Sequence, residues 1–496
     1  MSKPLRPHQE RALLDLRQAI IGGARRVMLQ LPTGAGKTRV AAEIVKGARS
    51  RGNRVLFTVP ATSLIDQTMT AFRAEGIEEI GIIQADHPLT DPSQPVQVAS
   101  VQTLRSRGIP AADVVVIDEA HRWFDLFETW MADPAWGRVP FIGLSATPWA
   151  VGLGRHYEHL IVGATALEMI NAGVLSPFRV FASAHPDLTG VRTKAGDFHE
   201  GDLSKAMDRP ELVAAVVGAW QCLGKGLPTL CFAVDRAHAK SLQLAFEAAG
   251  VAAGYVDANT TRGERDRIRD AFHAGALQVV VNIGTLTTGV DWDVRCVLLA
   301  RPTKSEMLFV QIVGRGLRTA PGKNDCLILD CSDTHRRLGF VTDIQHDALD
   351  AGDRRLKADA RSRPLPRECP TCGRLRPHRE PVCPNCGTPL TQAEAAELVR
   401  LEEHEARLAR AERQRWYSML LHVAEARDYK RAWANFVFKA RFGDKPNGLR
   451  RRPCPPDKEV QAFVRENLTR YAEEQNRARR GPQDDVSANQ HNSLAG

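Results

Sequence analysis

Nine short runs rich in β-branched residues, separated by stretches of helical periodicity, constrain this chain more than any other feature. RVMLQL (26–31), RVLFTV (54–59), VQVASV (96–101), DVVVID (113–118) and FIGLSA (141–146) form one series. TLCFAV (229–234), LQVVVNI (277–283), CVLLA (296–300) and CLILD (326–330) form a second. Apolar strands alternating with helices specify parallel sheets, because each parallel connection must cross over, usually through a helix. The two series are joined through a Gly-, His- and Pro-containing stretch around 152–178, which predicts an α/β chain of two tandem sheets with a cleft between them. With 496 residues there is room for both and for further modules. No run approaches the ~20 apolar residues of a membrane span. The start, MSKPLRPHQERALLDL, reads as an amphipathic helix without a signal core. The expected location is the cytoplasm, with no membrane partner.

The phosphate chemistry is local. QLPTGAGKT (30–38) follows a strand and leads into the helical run RVAAEIVKGA. Leu31 stands where the strict phosphate-loop pattern wants glycine, but the mechanical parts are present. Gly34 and Gly36 let backbone N–H groups turn towards phosphate oxygens. Lys37 reaches the β- and γ-phosphates, Thr38 offers a hydroxyl to Mg²⁺, and the helix N-terminus favours the anion. Thr33, Gly34, Gly36, Lys37 and Thr38 are therefore the expected ATP contacts. VVVIDEAH (114–121) ends a strand in two carboxylates: Asp118 for the magnesium shell, Glu119 to orient and deprotonate the attacking water. Such a pair alone could be a helix N-cap; downstream of a phosphate loop it reads as catalytic. Gln9 of LRPHQ is a candidate reader of the adenine edge.

QIVGRGLR (311–318) places Arg315 and Arg318 three residues apart, on one face if helical, with Gly314 and Gly316 permitting close approach. If the second sheet faces the first, both guanidiniums reach the γ-phosphate held by Lys37 and act as arginine fingers.

In order along the chain, LRPHQ, LPTGAGKT, VPATSLIDQ, SVQTL, DEAH, LSATP, NIGTLTTGVD and QIVGRGLR resemble the motif set of superfamily II helicases and translocases. The run VNIGTLTTGVD…RPTKSEMLFVQIVGRGLRTAPGKNDCLILD, followed by a cysteine module, is similar to RadD-type bacterial helicases and related phage or prophage helicases. The resemblance implies two RecA-like domains with ATP in the cleft and a nucleic-acid strand across both. It implies that Gln311 joins the catalytic set, and that His121, Ser145 and Thr147 couple hydrolysis to domain movement. It places Gly289 and Asp291 near the nucleotide, and Gln102 and Thr285 towards the strand. DNA is the preferred track, with roles in repair, recombination or fork processing and a single-strand-binding protein as a possible partner by resemblance alone. The same motifs serve RNA helicases and duplex translocases, and a chain with a dead site could be a recruitment scaffold.

Beyond residue 350 the pattern changes. Residues 1–350 hold 38 Lys+Arg and 38 Asp+Glu; residues 351–496 hold 29 and 20, which carries the whole net charge of +9. A basic C-terminal third suggests a polyanionic partner. Residues 351–368 read as a basic linker. CPTCGRLRPHREPVCPNCG (369–387) is a pair of CxxC knuckles whose Cys369, Cys372, Cys383 and Cys386 suit a structural Zn²⁺. Residues 391–475 read as a helical basic domain, a charged helix over 391–415 followed by an aromatic-rich segment, with a disordered tail over 476–496. Aromatics interleaved with cations suit stacking on single-stranded bases, yet at helical spacing most of these read as core. Arg450, Arg451 and Arg452 are the expected phosphate grip. The organisation expected is 1–160 and 161–350 for the two RecA-like domains, then the linker, the knuckle and the helical domain.

Overall fold

A computed structural model describes residues 4–84, 87–287, 292–352, 365–465 and 467–468. They form two compact units, Met1–Pro389 and Leu390–Gly496.

The first unit contains two large sheets. The first has seven strands: β1 (Arg26–Gln30), β2 (Val55–Val59), β3 (Ile80–Ile83), β4 (Val96–Ser100), β5 (Val114–Asp118), β6 (Phe141–Ser145) and β7 (His159–Val162). Their order is β3-β4-β2-β5-β6-β1-β7, and every pairing is parallel. All strand C-termini therefore lie at one edge, where ligands of such sheets collect. β1, β2, β4 and β6 are buried along their whole length, which is why they read as unbroken apolar runs. β7 is an edge strand with a half-exposed sequence, HLIV, and so lacks that signal. Its pairing with β1 carries the first sheet to Val162, past the boundary at residue 160 that the sequence suggested.

Second-sheet strands are β8 (Phe178–Ala182), β11 (Thr229–Phe232), β12 (Ala253–Val256), β13 (Val279–Asn282), β14 (Cys296–Leu299) and β15 (Cys326–Asp330). A small hairpin, β9 (Thr193–Lys194) and β10 (Asp197–Phe198), stands apart. The second sheet is extended by β16 (Arg367–Glu368) and β17 (Arg374–Arg376), giving the order β12-β13-β11-β14-β15-β8-β17-β16. β17 runs antiparallel to β8, pairing Arg374 with Phe181 and Leu375 with Val180. The first cysteine knuckle thus sits in the turn of a hairpin built onto the second sheet. Leu375 is buried in the main core, so this knuckle is not a separate bead on a linker. Of the expected linker, 353–364 lie outside the described residues, and Arg367–Glu368 belong to the sheet. The chain leaving the second sheet returns to the first, where the Asp350 carbonyl accepts from the N–H groups of Gly152 and Gly154.

In the second unit a single helix, Gln392–Ala426, replaces the expected break near residue 415. No Gly or Pro interrupts it, and Trp416, Tyr417 and Leu420 face inwards against the helix Arg431–Phe442 and against Val460 and Val464. Thr391 and Glu394 close its N-terminus as a reciprocal capping box. The expected disordered tail, 476–496, lies outside the described residues. Among the described residues no helix is long and apolar enough to cross a membrane.

Candidate nucleotide site between two sheets

β1 ends at Gln30, and the chain turns through residues 31–36 into the helix Lys37–Arg49. Gly34 and Gly36 adopt φ values of +87° and +91°, a conformation in which a Cβ is strained. A Cβ on Gly36 would also meet Gln9 Nε2 at 2.3 Å. Leu31 is fully buried and its N–H donates to the Ser145 carbonyl, so the departure from the strict glycine pattern places an apolar anchor in the core.

The N-terminal helix Pro7–Ile21 supports this loop from behind. His8 Nε2 donates to the Ala35 carbonyl at 2.9 Å and Gln9 Nε2 donates to the same oxygen at 3.2 Å. Gln9 Oε1 accepts from Arg6 N–H at 2.9 Å. The Gln9 amide is thus engaged with backbone at both ends and supports the loop. His8, in the same motif, was not singled out by the sequence; its ring becomes significant only once the helix packs under the loop.

β5 delivers Asp118 and Glu119 beside the loop. Lys37 Nζ lies 3.5 Å from Glu119 Oε1. Burial and the adjacent Glu119 carboxylate push Asp118 up to about 7. Burial also raises Glu119, but Lys37, His121 and Arg315 together outweigh it and hold that carboxyl below its ordinary value. Glu119 itself has φ +49°, an uncommon conformation for a non-glycine residue at a functional turn.

The QIVGRGLR run arrives from the second sheet on the helix Glu306–Gly316. Gly314 faces the phosphate loop, where a Cβ would stand 3.2 Å from Thr33 Cβ. Gly316 faces its own domain, where a Cβ would meet Cys326 Sγ at 2.4 Å. One glycine allows the domains to approach and the other seats the helix on its sheet. The helix ends before Arg318, because residue 318 forms a backbone bridge with Leu175 and leaves helical geometry. Arg315 and Arg318 are therefore not on one helical face, but both line the cavity that Lys37, Thr38, Asp118 and Glu119 line from the other side. Its volume is about 380 Å³. Arg6, Gln67 and Thr68 also line it.

The turn carrying Arg318 is held by Lys323. Its ammonium donates to the carbonyls of Val294 at 2.7 Å, Gly316 at 2.5 Å and Arg318 at 2.7 Å. Those last two acceptors lie at and just beyond the helix end, where carbonyls lack intrahelical partners and a cation is favoured. Nothing in TAPGKND distinguishes this lysine from a surface residue, so the sequence gives no signal of its role.

A hydrogen-bonded chain crosses the cleft. Gln311 Nε2 donates to His121 Nε2 at 3.0 Å and to Thr147 Oγ1 at 3.0 Å. An amide nitrogen can only donate, so His121 is neutral with its proton on Nδ1. That N–H donates to Ser145 Oγ at 2.9 Å, with Glu119 Oε2 3.4 Å away. Ser145 Oγ also accepts from Thr147 N–H at 3.0 Å. Burial lowers His121 to about 4, in keeping with the neutral ring. All five expected members, Gln311, His121, Ser145, Thr147 and Glu119, are brought together.

Of the remaining expected residues, Gly289 and Asp291 lie outside the described residues. Gln102 is exposed just beyond β4, its amide donating to the Pro60 carbonyl at 3.1 Å. Thr285 is half-buried just beyond β13. Each stands at the C-terminal edge of its own sheet. Arg450, Arg451 and Arg452 are exposed in the second unit.

The four cysteine sulfurs lie within 4.8 Å of one another, with Cys369 to Cys386 at 3.5 Å and Cys372 to Cys383 at 3.7 Å. A tetrahedral thiolate site with bonds of about 2.3 Å separates its sulfurs by about 3.8 Å, so the cluster fits zinc.

Two parallel sheets meeting at a phosphate loop, an acidic pair and an inserted arginine motif define a class. The chain belongs to superfamily II, the helicase-type ATPases. Residues 2–149 match the family described as type III restriction enzyme, res subunit, and residues 212–320 match the helicase conserved C-terminal domain. The chain is 28% identical to a 51.5 kDa protein of Lactococcus phage (isolate 7-9), over 76% of this chain and 80% of that one. It is 31% identical to the candidate ATP-dependent helicase IRC3 of Saccharomyces cerevisiae, over 66% of this chain but only 51% of that protein. The ATP-dependent type ISP restriction-modification enzyme LlaBIII, solved bound to DNA, has the same fold over 66% of this chain and 27% of its own, at 18% identity and a TM-score of 0.50.

Proposed function

We propose that the chain is an ATP-dependent DNA helicase or translocase. The observation that carries this is the shared cavity: Lys37 and Glu119 from the first sheet and Arg315 and Arg318 from the second line one volume, with Gln311 joined to His121 across it.

ATP enters with its phosphates at the N-terminus of the helix Lys37–Arg49, where Lys37 balances the β- and γ-charges. Thr38 and Asp118 would hold Mg²⁺, and a partly buried carboxylate with a raised proton affinity is the kind of group a divalent cation would keep ionised. When bound, that ion supplies charge neutralisation between the phosphates. Glu119, held ionised by Lys37 and its neighbours, orients and deprotonates the attacking water. Arg315 and Arg318 stabilise the charge that develops on the transferred group. Because they belong to the second domain, turnover requires the cleft to be closed, and loss of the γ-phosphate removes the anion that both domains grip. The chain from Gln311 through His121 to Ser145 and Thr147 registers that change at the C-terminal edges of both sheets, where exposed Gln102 and half-buried Thr285 would face a strand.

DNA as the track is supported by the relatives and by the basic C-terminal third; the RadD-like run extends this to repair, recombination or fork processing. Zinc at Cys369, Cys372, Cys383 and Cys386 is structural, because four thiolates close its coordination sphere.

The test is ATP turnover by the purified chain alone and with single-stranded DNA, forked duplex and matched RNA, with Lys37→Ala as control. Stimulation by a DNA form that disappears in the variant supports the proposal. Stimulation by RNA alone replaces the track. No turnover on any nucleic acid overturns the motor and leaves a recruitment scaffold.

A further inference from the structure

The second unit sorts its aromatic residues into two groups. Trp416, Tyr417 and Phe438 are buried at its centre. Tyr429 and Phe436 are not: they are 38% and 64% exposed. Phe436 sits on the outer face of the helix Arg431–Phe442, whose inner face is Ala434, Val437 and Phe438. Trp433, one turn before it and half-buried, packs its ring 5.0 Å from that of Tyr429 at an interplanar angle of 50°. Tyr429, just before the helix, and Trp433 and Phe436, three residues apart on it, thus each leave part of a ring uncovered, and the neighbouring outer positions are small or basic: Ala432, Lys439 and Ala440. A phenylalanine two-thirds exposed on an otherwise well-formed amphipathic helix contributes nothing to this core.

The surroundings choose the occupant. Residues 416–452 hold nine Lys+Arg and three Asp+Glu. Lys430, Arg431, Lys439 and Arg450 to Arg452 are all exposed in this stretch. A protein-docking patch excludes charge from its centre and is seldom this predominantly basic around its rim. Flat rings among cations match a strand whose bases are unpaired and whose backbone is anionic.

We propose that Tyr429, Trp433 and Phe436 form a base-stacking platform for single-stranded nucleic acid. Phe436 is the principal stacking ring, and the adjacent lysines and arginines track the backbone. The inference rests on the nucleic-acid track proposed above and adds a second contact point, outside the sheets. It concerns the strand's bases, whereas the arginine run Arg450–Arg452 concerns its phosphates.

The experiment is fluorescence-polarisation binding of labelled oligothymidine to the full-length chain, titrated with salt, comparing wild type with Phe436→Ala, Phe436→Trp and Tyr429→Ala. Each stacked base contributes ~1–3 kcal/mol, so Phe436→Ala is expected to weaken binding about 5- to 150-fold with an unchanged salt slope, and Phe436→Trp to restore it. An abasic oligonucleotide of the same length should bind wild type and Phe436→Ala equally. Thermal melting confirms the fold of each variant, and the exposed position predicts unaltered melting. If wild type binds oligothymidine and Phe436→Ala binds it as well, the platform is wrong and the ring serves another partner such as a protein. A loss in Phe436→Ala that persists on the abasic strand also overturns the platform, because no base is there to stack. If wild type binds no oligonucleotide, the nucleic-acid track itself fails, and the platform with it.

Discussion

Gln311 of the second domain donates a 3.0 Å hydrogen bond to His121 of the first, and the same amide nitrogen lies 3.0 Å from Thr147 Oγ1. One side chain therefore touches both His121, close to the acidic pair Asp118–Glu119, and Thr147, two residues beyond β6. Gln311→Ala removes two hydrogen bonds and leaves His121 Nε2 without its donor. At ~0.5–1.5 kcal/mol for each bond, the nucleic-acid stimulation of turnover is expected to fall by about 5- to 150-fold. Basal ATP binding should persist, because no phosphate contact is lost. Turnover with and without DNA, set beside the affinity for a fluorescent ATP analogue, checks this.

Arg318 should separate binding from hydrolysis. Arg318→Ala is expected to reduce turnover by about 10³-fold or more while ATP affinity changes little, since the guanidinium acts on charge that develops in the transition state. Lys37→Ala should weaken both. A variant of Arg318 that turns over normally would remove it from the mechanism.

Lys323 is expected to act through Arg318. Lys323→Met removes the donor to three carbonyls, at the helix end and on Arg318 itself. The cost in stability is about 2–4 kcal/mol, because the Val294 and Gly316 carbonyls lose this donor while the Arg318 carbonyl keeps Ser176 Oγ at 3.3 Å. The diagnostic readout is a double-mutant cycle in turnover. Lys323→Met should slow the wild type but add little to Arg318→Ala, whereas a purely structural lysine would give additive losses.

The cysteine knuckle should report on the second sheet. The N–H of Ala182 donates to the Gly373 carbonyl at 2.9 Å, so the turn between Cys369 and Cys372 is tied to the ladder through β8 and β17. Elemental analysis should find one zinc per chain. Cys369→Ser combined with Cys372→Ser, or a strong chelator, should lower the melting temperature by about 5–10 °C and not merely unfold a peripheral bead. A melting curve unchanged by metal removal would refute this coupling.

Acid sensitivity should centre on buried histidine. His238 is fully buried, and burial lowers it to about 4 despite Asp208 and Asp235, which pull the other way. An unfolded histidine titrates near 6.5. Above that pH the ring is neutral in both states and costs nothing. As pH falls from about 6.5 towards 4, the unfolded chain takes up a proton that the folded chain refuses, so stability declines by roughly 2 kcal/mol at pH 5. Denaturant melts at pH 7 and pH 5 should show this loss, and His238→Gln should show less of it. His121 contributes in the same direction, so the variant will not remove the whole effect.

The strands that sequence could locate are those buried on both faces. β1, β2, β4, β5 and β6 of the first sheet and β11, β13, β14 and β15 of the second lie inside the apolar runs, with ends shifted by no more than two residues. β3, β7, β8 and β12 escaped, being short, at an edge or only partly apolar, as HLIV illustrates. The phosphate loop was legible because its glycines, lysine and threonine lie within a few residues of one another.

Chemistry carried by adjacent residues was readable from the chain alone: the phosphate loop, the acidic pair, the arginine motif, the two cysteine knuckles and the alternation that makes parallel sheets. Which of these meet depends on the tertiary fold. His121 and Gln311 are 190 positions apart. Thr33 finds space against Gly314 only when the two domains pack, and β17 finds an open edge only because β8 ends the parallel sheet there. Lys323 and Phe436 are ordinary letters in the chain; one lies at a helix end with three carbonyls and the other is left outside a filled core. The physical reason is range: periodicity and turn chemistry act over a few residues, whereas burial and hydrogen bonding across a cleft depend on which surfaces are already occupied when the chain closes.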